Sequence, residues 1–343
     1  MAEPLLHHPR VRRDSTAEMP PHEWLGRLVR CAILAPSSHN TQPWRFAMAE
    51  DTIELWADRS RRLSICDPAG RELVMSCGAA LFNLRVACHR FGRESPITLL
   101  PDPDDPDLLA RAACGSERPV SLEDRRLFEA IFRRRTHRAP FDRRGVGDPV
   151  LQRLVEAVER EGAWLVPIEG PRRAAVGELI EEATRAQFRD RRFRLELASW
   201  LRSSARRVDG IPGHALGYGA VVSRVVPWVL RGIDVGGRQA ASDRQLAERS
   251  PVLAVLGTDR ESAIHWLRSG MALERALLSA TAEGLSASFL NSPIQVDAYR
   301  QPFADLLGAP GSPQLLLRIG YGRAPSKKPT PRRPLADVMK AIA

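Results

Sequence analysis

"APSSHNTQPWRF", Ala35–Phe46, follows a helix-like stretch and stops it at Pro36. Ser37, Ser38, His39, Asn40 and Gln42 crowd into six residues, and Pro43 and Trp44 follow. Such a density of short hydrogen-bonding side chains between two apolar elements raises the question of what the loop holds. Upstream, "PHEWLGRLVRCAILA" (21–35) places Trp24, Leu25, Leu28, Val29, Ala32 and Ile33 at helical spacing. Downstream, "PWRFAM" and "TIELWAD" read as two short strands joined by a polar turn, a hairpin. Residues 72–92, "ELVMSCGAALFNLRVACHRFG", read as a long helix rich in small residues that ends on Gly92. "ITLLPDPDDPD" reads as a strand running into a Pro/Asp loop.

A second unit begins near Val120. "SLEDRRLFEAIFRRRTHRAPF" is a helix capped by Ser121, with Glu123 and Asp124 in its first turn and cations at its end. Helices are expected at 149–161 and 172–189, with a further one at 195–201. "PVLAVLGTD" reads as a buried strand, "IHWLRSGMALERALLSATAEG" as a second long helix and "PQLLLRIGYG" as a last strand. The two long helices repeat each other: Gly78-x-Ala80-Leu81 reaching Gly92 matches Gly270-x-Ala272-Leu273 reaching Gly284. Each is preceded by a strand ending in Asp-Arg, at Asp58-Arg59 and Asp259-Arg260. The reading is an internal duplication. It divides the chain into a flexible tail at 1–20, a first half at 21–119 and a second half at 120–343. The second half carries an insertion at about 165–250 and an arm at 321–343. A cleft between such halves would set "APSSHN" facing "RRRTHRAPF".

Composition narrows the function. The chain has 343 residues, 43% hydrophobic and 27% charged, with a formal net charge of +10 carried almost wholly by Arg. That charge suits nucleic acid, a membrane surface or a small anion. Nucleic acid is set aside: the arginines are dispersed, only three Tyr offer stacking, and no helix-turn-helix or zinc pattern occurs. Five cysteines without a C-x-x-C pair frame neither a zinc site nor a disulfide scaffold. Cys77 and Cys88 share a helix face as core thiols, which points to a reducing compartment. Residues 1–20 lack a signal-peptide core, and the most apolar window is broken by Arg224, Pro227 and Arg231. A cytoplasmic protein with no membrane partner is expected. No G-x-S-x-G, H-E-x-x-H, Walker A or G-x-G-x-x-G pattern occurs, and the eight histidines form no ligand pair, so no metal is expected.

Anion binding is the chemistry left. "RRRTHR" (133–138) sets four guanidinium groups and a hydroxyl at a helix end, and Arg332–Arg333 form a second basic pair. Arg grips phosphate through two parallel charge-assisted bonds. Cations at a helix C-terminus equally well complement its dipole, and the sequence leaves both readings open. A third stretch, "SASFLNSPIQV" (286–296), is a polar turn.

Taken together these stretches resemble the nitroreductase family of FMN flavoproteins. "APSSHNTQPWRF" is similar to that family's A-P-S-S-x-N-x-Q-P-W, "RRRTHRAPF" to its R-x-S-x-R/K-x-F, "NSPIQV" to its P-I-x-G loop and "PRRPL" to its C-terminal basic pair. Length, the "RRTHR" form and the duplication are closest to the Acg-like branch. There one chain resembles a fused homodimer with a helical lid over the flavin, an α+β fold of two tandem nitroreductase-like halves. The resemblance implies one FMN per chain. Pro36, Ser37, Ser38, Asn40 and Gln42 would contact it from the first half, and Arg134, Thr136 and Arg138 from the second. Asn291, Pro293, Ile294 and Gln295 would lie along the ring, with the Gln295 backbone N–H near N5, and Arg332 and Arg333 would close on the phosphate. The flavin carries the hydride, so no catalytic side chain is required.

The resemblance further implies NADPH or NADH as reductant, a nitroaromatic or quinone-type acceptor, and ping-pong turnover. Its alternative is a lidded protein that stores or sequesters FMN, with residues 190–240 forming the lid. The chain would be a monomeric pseudo-dimer or a homodimer. Two departures stand out: Val296 replaces the family glycine after P-I-x, and Thr136 replaces a serine.

Overall fold

The computed structural model describes residues 21–49, 51–203, 207–217, 219–309, 311–322 and 329–340. The expected N-terminal tail, 1–20, and part of the expected C-terminal arm lie outside these residues. The elements of the first half are α1 (Pro21–Ala32), β1 (Trp44–Ala49), β2 (Thr52–Ala57), α2 (Arg71–Arg90), β3 (Ile97–Leu99) and β4 (Leu108–Ala113). They make an antiparallel sheet in the order β1-β2-β4-β3. Then come α3 (Leu122–Arg133), α4 (Asp148–Glu159), β5 (Trp164–Pro167), α5 (Pro171–Arg189), α6 (Arg191–Trp200), β6 (Leu201–Arg202), β7 (Ile211–Pro212), α7 (Ala220–Gly232) and α8 (Gly236–Arg249). The chain closes with β8 (Val252–Thr258), α9 (Ala263–Ala282), β9 (Ser286–Phe289), α10 (Ser292–Gln295), α11 (Asp297–Leu307), β10 (Ser312–Gly320) and α12 (Leu335–Val338).

The second sheet, β5-β8-β10-β9, is also antiparallel and repeats the strand order of the first. β1 and β2 meet across a tight turn, with Ala49 opposite Thr52. Their counterparts β5 and β8 pair just as directly, Pro167 opposite Ala254, yet residues 168–251 lie between them. The insertion therefore opens after β5, and Trp164–Pro167 is a strand of the repeated sheet.

Both long helices are buried on most of their surface, as helices at the centre of a molecule must be. They pack on each other where small residues remove side-chain bulk. One core joins α1, α2, α3 and the first sheet through Leu28, Trp44, Phe46, Leu81, Phe82, Phe128 and Ile131. α3 thus lends its apolar face to the first half, although it follows that half in sequence. Its start is fixed by a capping box, with Ser121 Oγ accepting from Asp124 N at 3.0 Å and Asp124 Oδ2 from Ser121 N at 2.8 Å. A second core joins α4, α9 and one face of the second sheet. On its other face α5, α8 and α11 form a third through Val176, Ile180, Ala247 and Phe303, so all seven residues of β8 are buried.

The rest of the insertion, α6 to α7, forms a small separate cluster of Phe193, Ala198 and Leu230 against Leu63 and Cys66 of the first half. Glu196 fastens it, accepting from the backbone N–H of Ile65 at 3.0 Å and of Cys66 at 2.9 Å. α7 holds Val221, Val225 and Trp228 outward into solvent. At the far end, α12 lies on α1, and Met339 pairs in parallel with Phe46 at the outer edge of β1. The Lys340 N–H donates to Phe46 O at 2.7 Å. The C-terminal arm of the second half therefore closes on the first, beside Ala35–Gln42. No helix among the described residues is long and apolar enough to cross a membrane.

Candidate functional site

The loop after α1 is strained. His39, Asn40 and Gln42 have φ of 50°, 56° and 52°, a left-handed region that side chains other than glycine rarely enter. Each costs on the order of 1–3 kcal/mol unless its surroundings hold it there. The holding bonds are present. Ser37 Oγ accepts from Gln42 N at 2.9 Å. Asn40 Nδ2 donates to Gly210 O at 3.0 Å and Pro331 O at 3.2 Å, and Gly210 N donates back to Asn40 O at 3.2 Å. Gln42 Nε2 donates to Val208 O at 2.8 Å. Insertion and C-terminal arm both rest on this loop.

Beside it lies a corner of cations. Arg134, at the end of α3, and Arg332, on the arm, both donate to Leu34 O, at 3.4 and 3.0 Å. Arg332 also reaches Ala35 O at 3.1 Å and Asn40 Oδ1 at 3.1 Å. The two guanidinium groups thus satisfy the carbonyls of the turn between α1 and Pro36. Their one acid is Glu274 of α9, fully buried, with Oε1 3.7 Å from Arg134 Nε. Burial drives the Glu274 carboxyl up to about 7, against the pull of the Arg134 and Arg332 charges. Burial and the charges of Arg134 and Arg135 drive Arg332 down to about 9. Arg134 Nε and Arg332 Nε are buried donors without a hydrogen-bond acceptor. Both Glu274 carboxylate oxygens are unpartnered as well. Arg134, Arg135 and Arg332 against one acid leave the corner with an excess of positive charge, which suits an anion.

A third wall centres on Glu72, in the first turn of α2. It accepts from Ser38 Oγ, from Gln295 Nε2 at 2.8 Å and from Arg71 Nη2 at 3.3 Å. Gln187 of α5 donates to Gln295 Oε1 at 3.0 Å, which ties the insertion to the same network. His39 is pushed down to about 4, chiefly by burial, and Arg138 adds to this against the pull of Glu72. Its imidazole is neutral at physiological pH, with Nδ1 unpartnered. Arg138 Nη1 donates to Ala215 O in the insertion at 3.3 Å, and the neighbouring His214 Nε2 is another buried atom without a partner.

A profile of the Nitroreductase family matches residues 11–64 and 131–321, well over half of the chain. The chain belongs to the nitroreductase family. Two Mycobacterium tuberculosis H37Rv proteins are similar over nearly their whole lengths. "Putative NAD(P)H nitroreductase Rv3131" is 31% identical over 326 residues, 94% of this chain and 92% of that one. "Putative NAD(P)H nitroreductase acg" is 33% identical over 327 residues, 92% of this chain and 95% of that one. Among solved structures, the FMN-dependent nitroreductase NfnB of Mycobacterium smegmatis in complex with NADPH is 17% identical, with a TM-score of 0.42. The match covers 64% of this chain and 98% of that one.

Within this nitroreductase-family chain the motif residues do not all face one space. They form two networks: Ser37 O accepts from the Asn40 N–H, with Asn40, Arg332 and Arg134 joined directly or through Leu34 O, while Ser38 and Gln295 are joined through Glu72. Arg138 acts on His39 and Arg134 through its charge. Thr136 joins them as a parallel bridge to Ala287 of β9, with the His137 N–H donating to Ala287 O at 2.9 Å. Other motif residues are engaged elsewhere in the fold. Arg333 does not share the corner of Arg332: it donates to Gln42 O at 3.1 Å and Asp337 O at 2.5 Å, with Asp58 3.6 Å away. It is a tie for the arm. Gln42 is spent on Val208 O and on the Arg333 N–H, 2.7 Å from Oε1. The Gln295 N–H is taken by Asn291 O at 2.9 Å inside α10, and its side chain is held between Glu72 and Gln187. Asn291 Oδ1 caps the Leu316 N–H at 3.0 Å, and Ile294 is 2% exposed in the third core. Pro293, between them, is buried too.

Glu72, Glu274, His39, His214 and Gln187 are the site residues that motif spacing does not reveal. Glu274 left one trace: a lone acid in the apolar run "GMALERALL" must be buried with a cation or neutralised.

Proposed function

We propose that this chain is an FMN-dependent oxidoreductase. It would take hydride from NADPH or NADH and pass it to a small acceptor of the nitroaromatic or quinone type. The observation that carries the reading is the anion-short corner of Arg134, Arg332 and Glu274, set against a strained loop of small polar side chains. Arg134 and Arg332 would hold the phosphate of FMN, with their Nε donors spent on it. Ser37, Ser38 and Asn40 are short enough to let backbone approach the ribityl chain. Arg138 would stand at the pyrimidine edge, where a cation favours the charge of the reduced ring. The half-buried Gln295–Glu72–Ser38 chain would hold that wall in place. When bound, FMN supplies the hydride acceptance and donation. One FMN per chain is expected, because "APSS" and "PIQ" each occur once.

A second reading is favoured by the insertion. Its backbone is fastened to the loop at Asn40 and Gln42, its Asp209 carboxylate lies 2.6 Å from Arg61 Nη2, and its Ala215 carbonyl meets Arg138. A cover fastened at four points would shield a flavin from nicotinamide, and the protein would then keep FMN without turning it over. Anaerobic mixing of the flavin-loaded protein with NADPH, and separately with NADH, separates the two. Loss of flavin colour within seconds supports the enzyme. A spectrum unchanged over minutes with both supports the container and overturns the enzyme.

A further inference from the structure

A cavity of about 170 Å³ lies away from the Arg134–Arg332 corner, between α8, β10 and the Pro140–Phe141 turn. Arg138, Arg249 and Arg318 line it with Ser242, Gln245 and Ser250. No carboxylate lines it, and among the described residues none of the three guanidinium groups has an ion pair. Arg318 is the telling residue. It sits mid-strand in β10 and is only 1% exposed, although a charged residue is almost never so buried unless paired. Its Nη groups reach neutral acceptors at long range: Ser250 Oγ at 3.4 Å, His137 O at 3.3 Å and Arg138 O at 3.4 Å. Its Nε has no acceptor at all. The Phe141 ring covers the guanidinium, 5.0 Å away.

The acid that senses Arg318, Asp243, does not line the cavity. It spends its oxygens on Gln239 Nε2 at 2.8 Å and Thr184 Oγ1 at 3.3 Å, and burial holds it up at about 6. Desolvation pulls Arg318 down to about 10. A buried cation kept without a counter-ion is costly, and a bound anion removes that cost.

We propose that this cavity is an oxyanion site for a phosphate monoester or inorganic phosphate. Three guanidinium groups match a doubly charged ligand, and their fork geometry matches tetrahedral oxygens. The volume equals about six waters at ~30 Å³ each, room for a phosphate group. Ser242, Gln245 and Arg249 come from α8, inside the insertion, and have no part in the flavin reading; Arg138 is shared with it, so the test is placed on Arg249 and Gln245. Two sources share the chemistry: free phosphate, and the 2′-phosphate that distinguishes NADPH from NADH.

The test is calorimetric titration of inorganic phosphate into the full chain in its flavin-loaded form, beside Arg249→Ala and Gln245→Glu. The latter adds a carboxylate to the cavity from an exposed helix position, so folding is retained. Wild type should bind one phosphate, and each variant should bind about tenfold more weakly or worse, the effect of losing one charge-assisted bond. Flavin content should be unchanged in both. Displacement of phosphate by NADPH but not NADH identifies the nucleotide source; displacement by neither identifies free phosphate. Should the chain purify without flavin, wild type would bind up to two phosphates and Arg249→Ala one fewer. Absence of phosphate binding at physiological concentrations, affinity unchanged in both variants, or acetate binding as tightly as phosphate would overturn the proposal.

Discussion

Gly78 of α2 and Gly270 of α9 meet at the centre of the molecule in reciprocal positions. A Cβ on Gly78 would strike the Leu267 carbonyl oxygen, and a Cβ on Gly270 would strike the Met75 carbonyl oxygen, each three residues before the facing glycine. That reciprocity is the signature of two halves related by a pseudo-twofold axis through the crossing. Backbone cannot yield as a flexible side chain does. Gly78→Ala and Gly270→Ala should each destabilise the chain by about 1–3 kcal/mol or more, despite the better helix propensity of Ala. Denaturant unfolding of the single variants checks this. Either alanine leaving the midpoint unchanged would contradict the close crossing.

The adjacent arginines of the arm should part company. Arg332 has a spare buried donor in the cation corner, whereas Arg333 is committed to Gln42, Asp58 and Asp337. Arg332→Ala and Arg134→Ala should weaken FMN retention by about tenfold to a hundredfold, as loss of a charge-assisted bond does. Arg333→Ala should instead lower thermal stability and loosen the arm. Equilibrium dialysis and thermal unfolding of the three variants read this out; equal flavin loss in all three would contradict the separation.

Glu274 gives the corner a pH dependence. Its folded pKa of about 7 lies above the ordinary 4.5, so the fold favours the neutral acid. The resulting stabilisation is whole below pH 4.5 and is lost as pH rises through 7. Glu274→Gln keeps the neutral shape and removes the titration. The stability of the variant relative to wild type should therefore rise between about pH 4.5 and 7 and level off above. Anion affinity of wild type should fall above pH 7, where the carboxylate neutralises one arginine, and that of the variant should not. Parallel stability curves from pH 5 to 8 would contradict the assignment.

The cover over the loop is fastened by Asp209, which pairs with Arg61 at 2.6 Å and with Arg202 at 3.2 Å. Both pairs are half-buried; the Arg61 pair ties the first half to the insertion, and the Arg202 pair stays within the insertion. Asp209→Asn should speed flavin exchange with free FMN several-fold, with little loss of global stability. Stopped-flow fluorescence of flavin release checks this; an unchanged rate would place the barrier elsewhere.

Much of this was legible in residues. Gly78 and Gly270 at matched spacing foretold the central crossing, and the two polar loops with Arg134 and Arg332 do share one corner. What the sequence hid was set by distance. β4, "LLARAA", is composed of good helix formers and is a strand only because β2 and β3 pair with it on either side. β5 is four residues long, and its partner stands beyond residues 168–251, so local pattern could not separate it from the insertion. α7 continues through Pro227, and the Gly- and Arg-rich composition around it masks α7 and α8 alike. Arg333 was carried with Arg332 by the likeness of "PRRPL" to a basic pair, yet neighbouring residues of an extended arm point to opposite sides. Asn291 and Ile294 were carried by motif, while a bond from the Leu316 N–H and burial in the third core give them structural duties.

The central claim is that the corner of Arg134, Arg332 and Glu274 holds the phosphate of one FMN. The most direct measurement is the visible spectrum of the purified chain, with the cofactor released and quantified against protein, before and after incubation with excess FMN. Wild type should be a yellow protein carrying one FMN per chain, and Arg332→Ala should show a marked deficit. A folded wild-type chain that is colourless and takes up no FMN would contradict it.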